Sequence, residues 1–191
     1  MTPPKSIDQF SELLTQEANR PAAFRAKLAA RHDAAASTLE RFDAQPLEAD
    51  IDAVLTAQTV KLTTAATLES FDRIKMESRQ KTLADAAAVS NKDAGKAILE
   101  SELALRSKGR SAKHATLGKV AAAAQEAMLN PDLLPAEFDK LEARRAALVG
   151  ESEALETAFS LSKSAIERFS NGPSAETWHD AVRAVRAVNF A

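Results

Sequence analysis

Apolar residues recur along most of this chain at steps of three and four, the spacing that gathers them on one side of an α-helix. The longest such stretch runs from Pro46 to Ser107, with no proline after its first residue and a single glycine, Gly95. From Ile51 to Met76 its stripe repeats at about eleven residues, Leu62 echoing Ile51, Ala65 and Met76 echoing Val54, and Phe71 echoing Val60. That period belongs to a nearly straight or slightly right-handed rod. The pattern predicts helix throughout, roughly 90 Å if unbroken, with one candidate interruption at 90–95. There Asn91 and Asp93 compete for backbone hydrogen bonds, and Gly95 costs about 1 kcal/mol in a helix interior. Pro46 suits a first turn, and Glu48, Asp50 and Asp52 suit the positive end of the helix dipole.

The flanking segments read as shorter helices. Ser6 and Gln9 form a capping-box pattern ahead of Ile7, Phe10, Leu14 and Ala18, which predicts a helix over Ser6 to Asn19. Pro21 then opens a second helix to Ala44, with Leu28, His32, Ala35, Leu39 and Phe42 along its seam. The turn Ser107 to Ser111 offers Gly109 as a left-handed cap, and a helix to about Leu129 is stopped by Asn130, Pro131 and Asp132. Pro135 opens the most regular segment. Leu141, Leu148, Leu155, Ser162 and Phe169 lie seven apart, interleaved with Phe138, Arg145, Ser152, Phe159 and Ile166. Asn171, Gly172 and Pro173 form a strong stop, and Ser174 caps a last helix striped with Trp178, Val182, Val185 and Val188. No strand pattern and no internal repeat is present. The fold class expected is all-α, an elongated, partly coiled-coil helical bundle. Its domain, 1–173, is built on an antiparallel pair of Pro46–Ser107 against Pro135–Phe169, and 174–191 is a C-terminal amphipathic docking helix.

Composition sharpens this picture. The 45% hydrophobic fraction is rich in alanine, which favours helix but buries little surface, so many close, thin contacts are expected rather than one wide core. With 25 basic and 27 acidic residues the net charge is −2, which excludes a surface given over wholly to nucleic acid. The absence of cysteine removes disulfides, thiol catalysis and cysteine-based zinc sites. No apolar run follows Met1–Lys5 and none is long enough for a bilayer, so neither a secretory signal nor a transmembrane segment is expected. The expected location is soluble, in the cytoplasm or within an assembled particle such as a virion.

Chemistry-bearing patterns are sparse. His32, His114 and His179 are the only histidines. Glu176 and His179 make one Glu-x-x-His, but a di-metal bundle needs a second copy and neither other histidine follows a glutamate at that spacing. His32 on a seam reads as a packing residue. The serines lack the Gly-x-Ser-x-Gly turn, and Gly118-Lys119 lacks both the first Walker glycine and a preceding strand. No catalytic residue, cofactor site or metal site is expected. One charged feature stands out: Arg106, Lys108, Arg110, Lys113 and Lys119, joined by His114, have no acid between them. Such a basic turn would contact phosphate or nucleic acid through charge, or be a solvated connection. With no Tyr, one Trp and 8 Phe mainly on seams, no base-stacking platform accompanies it.

These readings converge on a non-enzymatic structural or assembly subunit, a homo-oligomer or a partner of other subunits, in a particle of the phage virion, head-tail junction or secretion-apparatus kind. The alternatives are a helical adaptor or chaperone-like binder and, more weakly, a granule- or membrane-surface coat protein. The oligomer contact is expected on Trp178, Val182, Val185 and Val188, with Arg183 and Arg186 turned toward acids such as Glu151, Glu153 or Glu156 of a neighbour. Docking of that helix on its own bundle is the competing expectation.

Overall fold

The computed structural model describes residues 3–48 and 50–190, apart from the Glu48 side chain. The Glu48 carboxylate expected beside a helix start, and residues 1, 2 and 191 of the expected domains, lie outside the described residues. The protein is all-α, 86% helical, with no strand among the described residues. Its elements are α1 (Ile7–Ala44), a 3-10 turn (Pro46–Glu48), α2 (Ile51–Asp72), α3 (Met76–Ser90), α4 (Lys92–Arg106), α5 (Arg110–Ala127), α6 (Pro135–Asn171) and α7 (Ala175–Ala187). By packing they form two units, Met1–Ser11 with Ala88–Ala191, and Glu12–Ala87.

In the Glu12–Ala87 unit, α1 and α2 lie antiparallel. Arg25 meets the last residue of α2, Asp72, while Thr38, Arg41 and Phe42 share a groove with Asp50, Ala53 and Val54 at its start. The expected division of the first 44 residues into two helices is corrected: α1 runs unbroken through Pro21. A proline inside a helix loses one backbone hydrogen bond and clashes with the preceding turn, at about 3 kcal/mol or more. Here the seam explains why the helix continues. Leu14, Pro21, Leu28 and Ala35 are buried at seven-residue intervals, so Pro21 is itself an apolar seam residue and a break would put its two sides out of phase.

The Pro46–Ser107 stretch is likewise several helices rather than one. The candidate interruption is found at Asn91, between α3 and α4. A further break at 73–75 carries no proline or glycine. The end of α2 is held by tertiary contacts instead, with Phe71 buried 5.8 Å from the Phe24 ring and Asp72 bonded twice to Arg25. Asp50 caps α2 by accepting from the backbone N–H of Asp52 and Ala53.

In the other unit α6 packs along α5, α7 and α4. Of the long stretch expected beside α6, α4 supplies that contact, whereas α2 pairs with α1. All the heptad positions of α6 are buried or half-buried except Phe138, and burial deepens toward Phe169. Of its polar positions, Ser162 is satisfied: its hydroxyl is fully buried and lies 2.8 Å from the carbonyls of Ala158 and Ala184, tying α6 to α7, whereas the Arg145 Nε is buried without a hydrogen-bond partner among the described residues. The centre of the core is aromatic. Phe10 stacks at 4.1 Å on Trp178, Phe169 meets Trp178 edge-on at 5.4 Å, and the indole N–H donates to Ser11.

Gly109 does not adopt the left-handed cap. Its φ of −87° is right-handed, and it is glycine for room, since a Cβ there would collide with the Phe190 carbonyl. Beside it, Phe190 N–H donates to the Arg106 carbonyl and holds the chain end over this turn.

Candidate functional site

The basic turn is largely neutralised within its own unit. Arg106 donates to Glu102 at 2.7 Å and also reaches the Arg186 carbonyl at 3.3 Å. Arg110 Nε donates to Glu156 at 2.9 Å, and its guanidinium lies 4.2 Å from the Phe159 ring centre. The hydrogen bond from Arg110 holds the Glu156 carboxyl below the usual carboxylate range. Lys113 is 3.7 Å from Glu151. Lys108 and Lys119 are exposed and have no carboxylate partner among the described residues. Three of the five cations therefore join α4 and α5 to acids, two of those acids on α6, and only the other two are open to an outside anion.

The C-terminal stripe lies in the interior. Trp178, Val182, Val185 and Val188 are all buried within the unit that holds α6, so they have no free surface for a second chain. Arg186 pairs with Asp8 at 2.8 Å rather than pointing away, and Arg183 is 3.9 Å from Asp180 on its own helix.

One polar pair was not visible in the sequence because its members are 38 residues apart: Ser152 Oγ lies 2.7 Å from His114 Nδ1. It resembles a nucleophile and base only superficially. Ser152 sits in the middle of α6, where neighbouring N–H groups are engaged in the helix and cannot form an oxyanion hole. His179 Nδ1 donates to the Ala175 carbonyl at 2.6 Å, within its own helical turn. No group of three or more potential metal-ligating side chains occurs among the described residues. Among the described residues no helix is long and apolar enough to cross a membrane.

The most distinctive surface is on α2. Val54, Ala57, Thr64 and Phe71 are buried on one side, and the Thr64 hydroxyl is satisfied by the Val60 carbonyl at 2.6 Å. On the opposite side Ile51, Leu55 and Leu62 are 71%, 55% and 73% exposed. At 3.6 residues per turn these three fall within an arc of about 40°. The eleven-residue echo of Ile51 by Leu62 thus lies on the outside. It was visible in the sequence, but Leu55 was needed to show that α2 carries two apolar stripes rather than one.

Beside α2 lies an apolar groove of about 480 Å³, lined by Arg20, Pro21, Phe24, Phe71, Arg79, Thr82 and Leu83. Arg79 stacks 5.0 Å from the centre of the Phe71 ring, and Arg25 holds the neighbouring Asp72 carboxyl below its usual range by a hydrogen bond. Comparison with protein-family models, with curated proteins and with solved structures gives no match to this chain.

Proposed function

We propose that this chain is a non-enzymatic structural subunit that assembles with further copies into a larger particle. The observation that carries the reading is the second apolar face of α2. Scattered exposed leucines are ordinary on any protein surface, but an aligned set on a helix that already buries its other side is the pattern of an interaction surface. Between Asp52 and Glu69, Lys61 is the sole charged residue, and depletion of charge is the compositional mark of an interface centre. Light scattering behind size exclusion, at low and high micromolar concentration, tests the reading. A defined oligomer is expected, and the mass of one 20.4 kDa chain throughout would contradict it.

The groove beside Pro21 favours a second reading, an adaptor that receives an apolar side chain of a partner helix with an acid near Arg20 or Arg79. The same measurement separates the two, since an adaptor remains a single chain until its partner is added.

A further inference from the structure

We infer that the groove between α1, α2 and α3 binds an aliphatic monocarboxylate, with its tail along Phe24 and Phe71 and its carboxylate on Arg79. The inference goes beyond the assembly reading and does not depend on it.

The groove is walled by apolar residues and holds no acid. Pro21 and Phe71 are buried in its floor, Leu83 is half-buried, and Phe24 keeps half of its surface open. A second groove of about 420 Å³ shares Phe24, Phe71 and Arg79 with the first and adds exposed Ile74. No carboxylate lines either one. The acids of neighbouring turns are engaged or lie elsewhere. Glu17 accepts from Arg20 at 3.2 Å, Asp72 accepts twice from Arg25, and Glu69, Glu77 and Asp85 are outside both linings.

Arg79 supplies the charge. It is half-buried, its guanidinium lies 5.0 Å from the centre of the Phe71 ring, and it has no carboxylate or hydrogen-bond partner among the described residues. Stacking fixes the planar guanidinium while leaving its N–H edge open, the arrangement that suits a carboxylate bound through two parallel hydrogen bonds. Thr82 does not add a second polar requirement, because its hydroxyl already donates to the Ser78 carbonyl at 2.8 Å. With Arg20 shared by Glu17, one open cation remains, and a single negative charge balances it.

Volume selects a tail over a helix. The first groove, about 480 Å³, lies within the ~300–1,000 Å³ of small-ligand sites and accommodates an aliphatic chain of about ten carbons. A helix about 10 Å across would fill the same space within about one turn and leave the rest of itself outside.

The test is isothermal titration of the full chain with decanoate, below its micelle concentration and at low salt. Saturable binding of one decanoate per chain is expected, and each methylene removed from the acid should weaken it about two- to fourfold. Arg79→Gln should weaken binding about tenfold or more. Thr82→Trp, which fills the groove from an exposed position, should abolish it while the melting temperature is kept. Decyltrimethylammonium, with a similar tail and the opposite charge, should not bind. Equal binding of the cationic and anionic probes, or decanoate binding undiminished in Thr82→Trp, overturns the inference even if Arg79→Gln fails to fold. No saturable binding at millimolar decanoate also overturns it and leaves the groove to the partner helix of the adaptor reading. The mass of the unmodified chain by light scattering decides the assembly reading separately.

Discussion

Gly95 lies beneath the ring of Phe169. A Cβ at residue 95 would stand 3.0 Å from Phe169 Cε1, 3.1 Å from its Cζ and 3.2 Å from Phe10 Cε2, inside the optimum carbon–carbon separation of about 3.5–4.0 Å. Both rings are fully buried, and each also packs on Trp178. Alanine favours the helix by about 1 kcal/mol over glycine, but overpacking a closed core costs about 1–3 kcal/mol. Gly95→Ala is expected to lower stability by about 1 kcal/mol net, read by thermal or urea denaturation. A raised melting temperature would show that the rings yield.

Gly118 and Gly150 predict the opposite sign. Both are inside helices, and a Cβ at either would meet nothing within 4 Å. Gly118→Ala and Gly150→Ala should each stabilise by about 1 kcal/mol through backbone propensity alone. A loss of stability in either would mean that the helix is not what limits that segment.

Arg110 and Glu156 make the basic turn part of the fold. The carboxyl is held below its ordinary value of 4.5 by the hydrogen bond from Arg110, so the stability it contributes is fully present above that value. It is lost as pH falls through the lower folded-state value. Glu156→Gln should therefore reduce the melting temperature at neutral pH and flatten its decline in acid. Arg110→Glu should destabilise at neutral pH, whereas Lys108→Glu and Lys119→Glu should not. Equal effects from all three lysine and arginine variants would contradict a structural role for this arginine.

How far the sequence discloses this fold depends on where each partner comes from. The α6 heptads are legible because one seam faces one side of a continuous helix. The α1 seam is equally regular: Leu14, Pro21, Leu28 and Ala35 are buried at sevens, but proline is read as a helix start before it is read as an apolar residue. The break at 73–75 has no local mark, since Phe71 and Asp72 are fixed by Phe24 and Arg25 from another helix. The basic turn looked like an anion site because Glu151 and Glu156, which neutralise Lys113 and Arg110, come from another helix, 38 and 46 positions further along the chain. The stripe on α7 was legible as a stripe. Which surface it meets is set by Phe10 and α6, and no spacing within α7 records that.

Trp178 should therefore act as an internal probe. It is the only tryptophan, fully buried, with its N–H donated to Ser11 at 3.1 Å. Its emission is expected to be blue-shifted and to move red on unfolding. Trp178→Ala should cost about 3–5 kcal/mol, the range for removing a buried aromatic. Removing residues 174–191 should likewise destabilise the chain by uncovering Phe10 and Phe169. A truncated chain that melts like the intact one would contradict the packing of α7.

The central claim, that α2 has a face meant for another chain, is tested most directly by Leu55→Glu combined with Leu62→Glu. Both side chains are more than half exposed, so the helix and its packing on α1 do not need them. The measurement is mass by light scattering alongside the melting temperature of the same samples. The account predicts an oligomer for the unmodified chain and a single chain for the double variant, with circular dichroism and melting temperature at low concentration unchanged. A double variant that keeps the oligomer at full strength would contradict it.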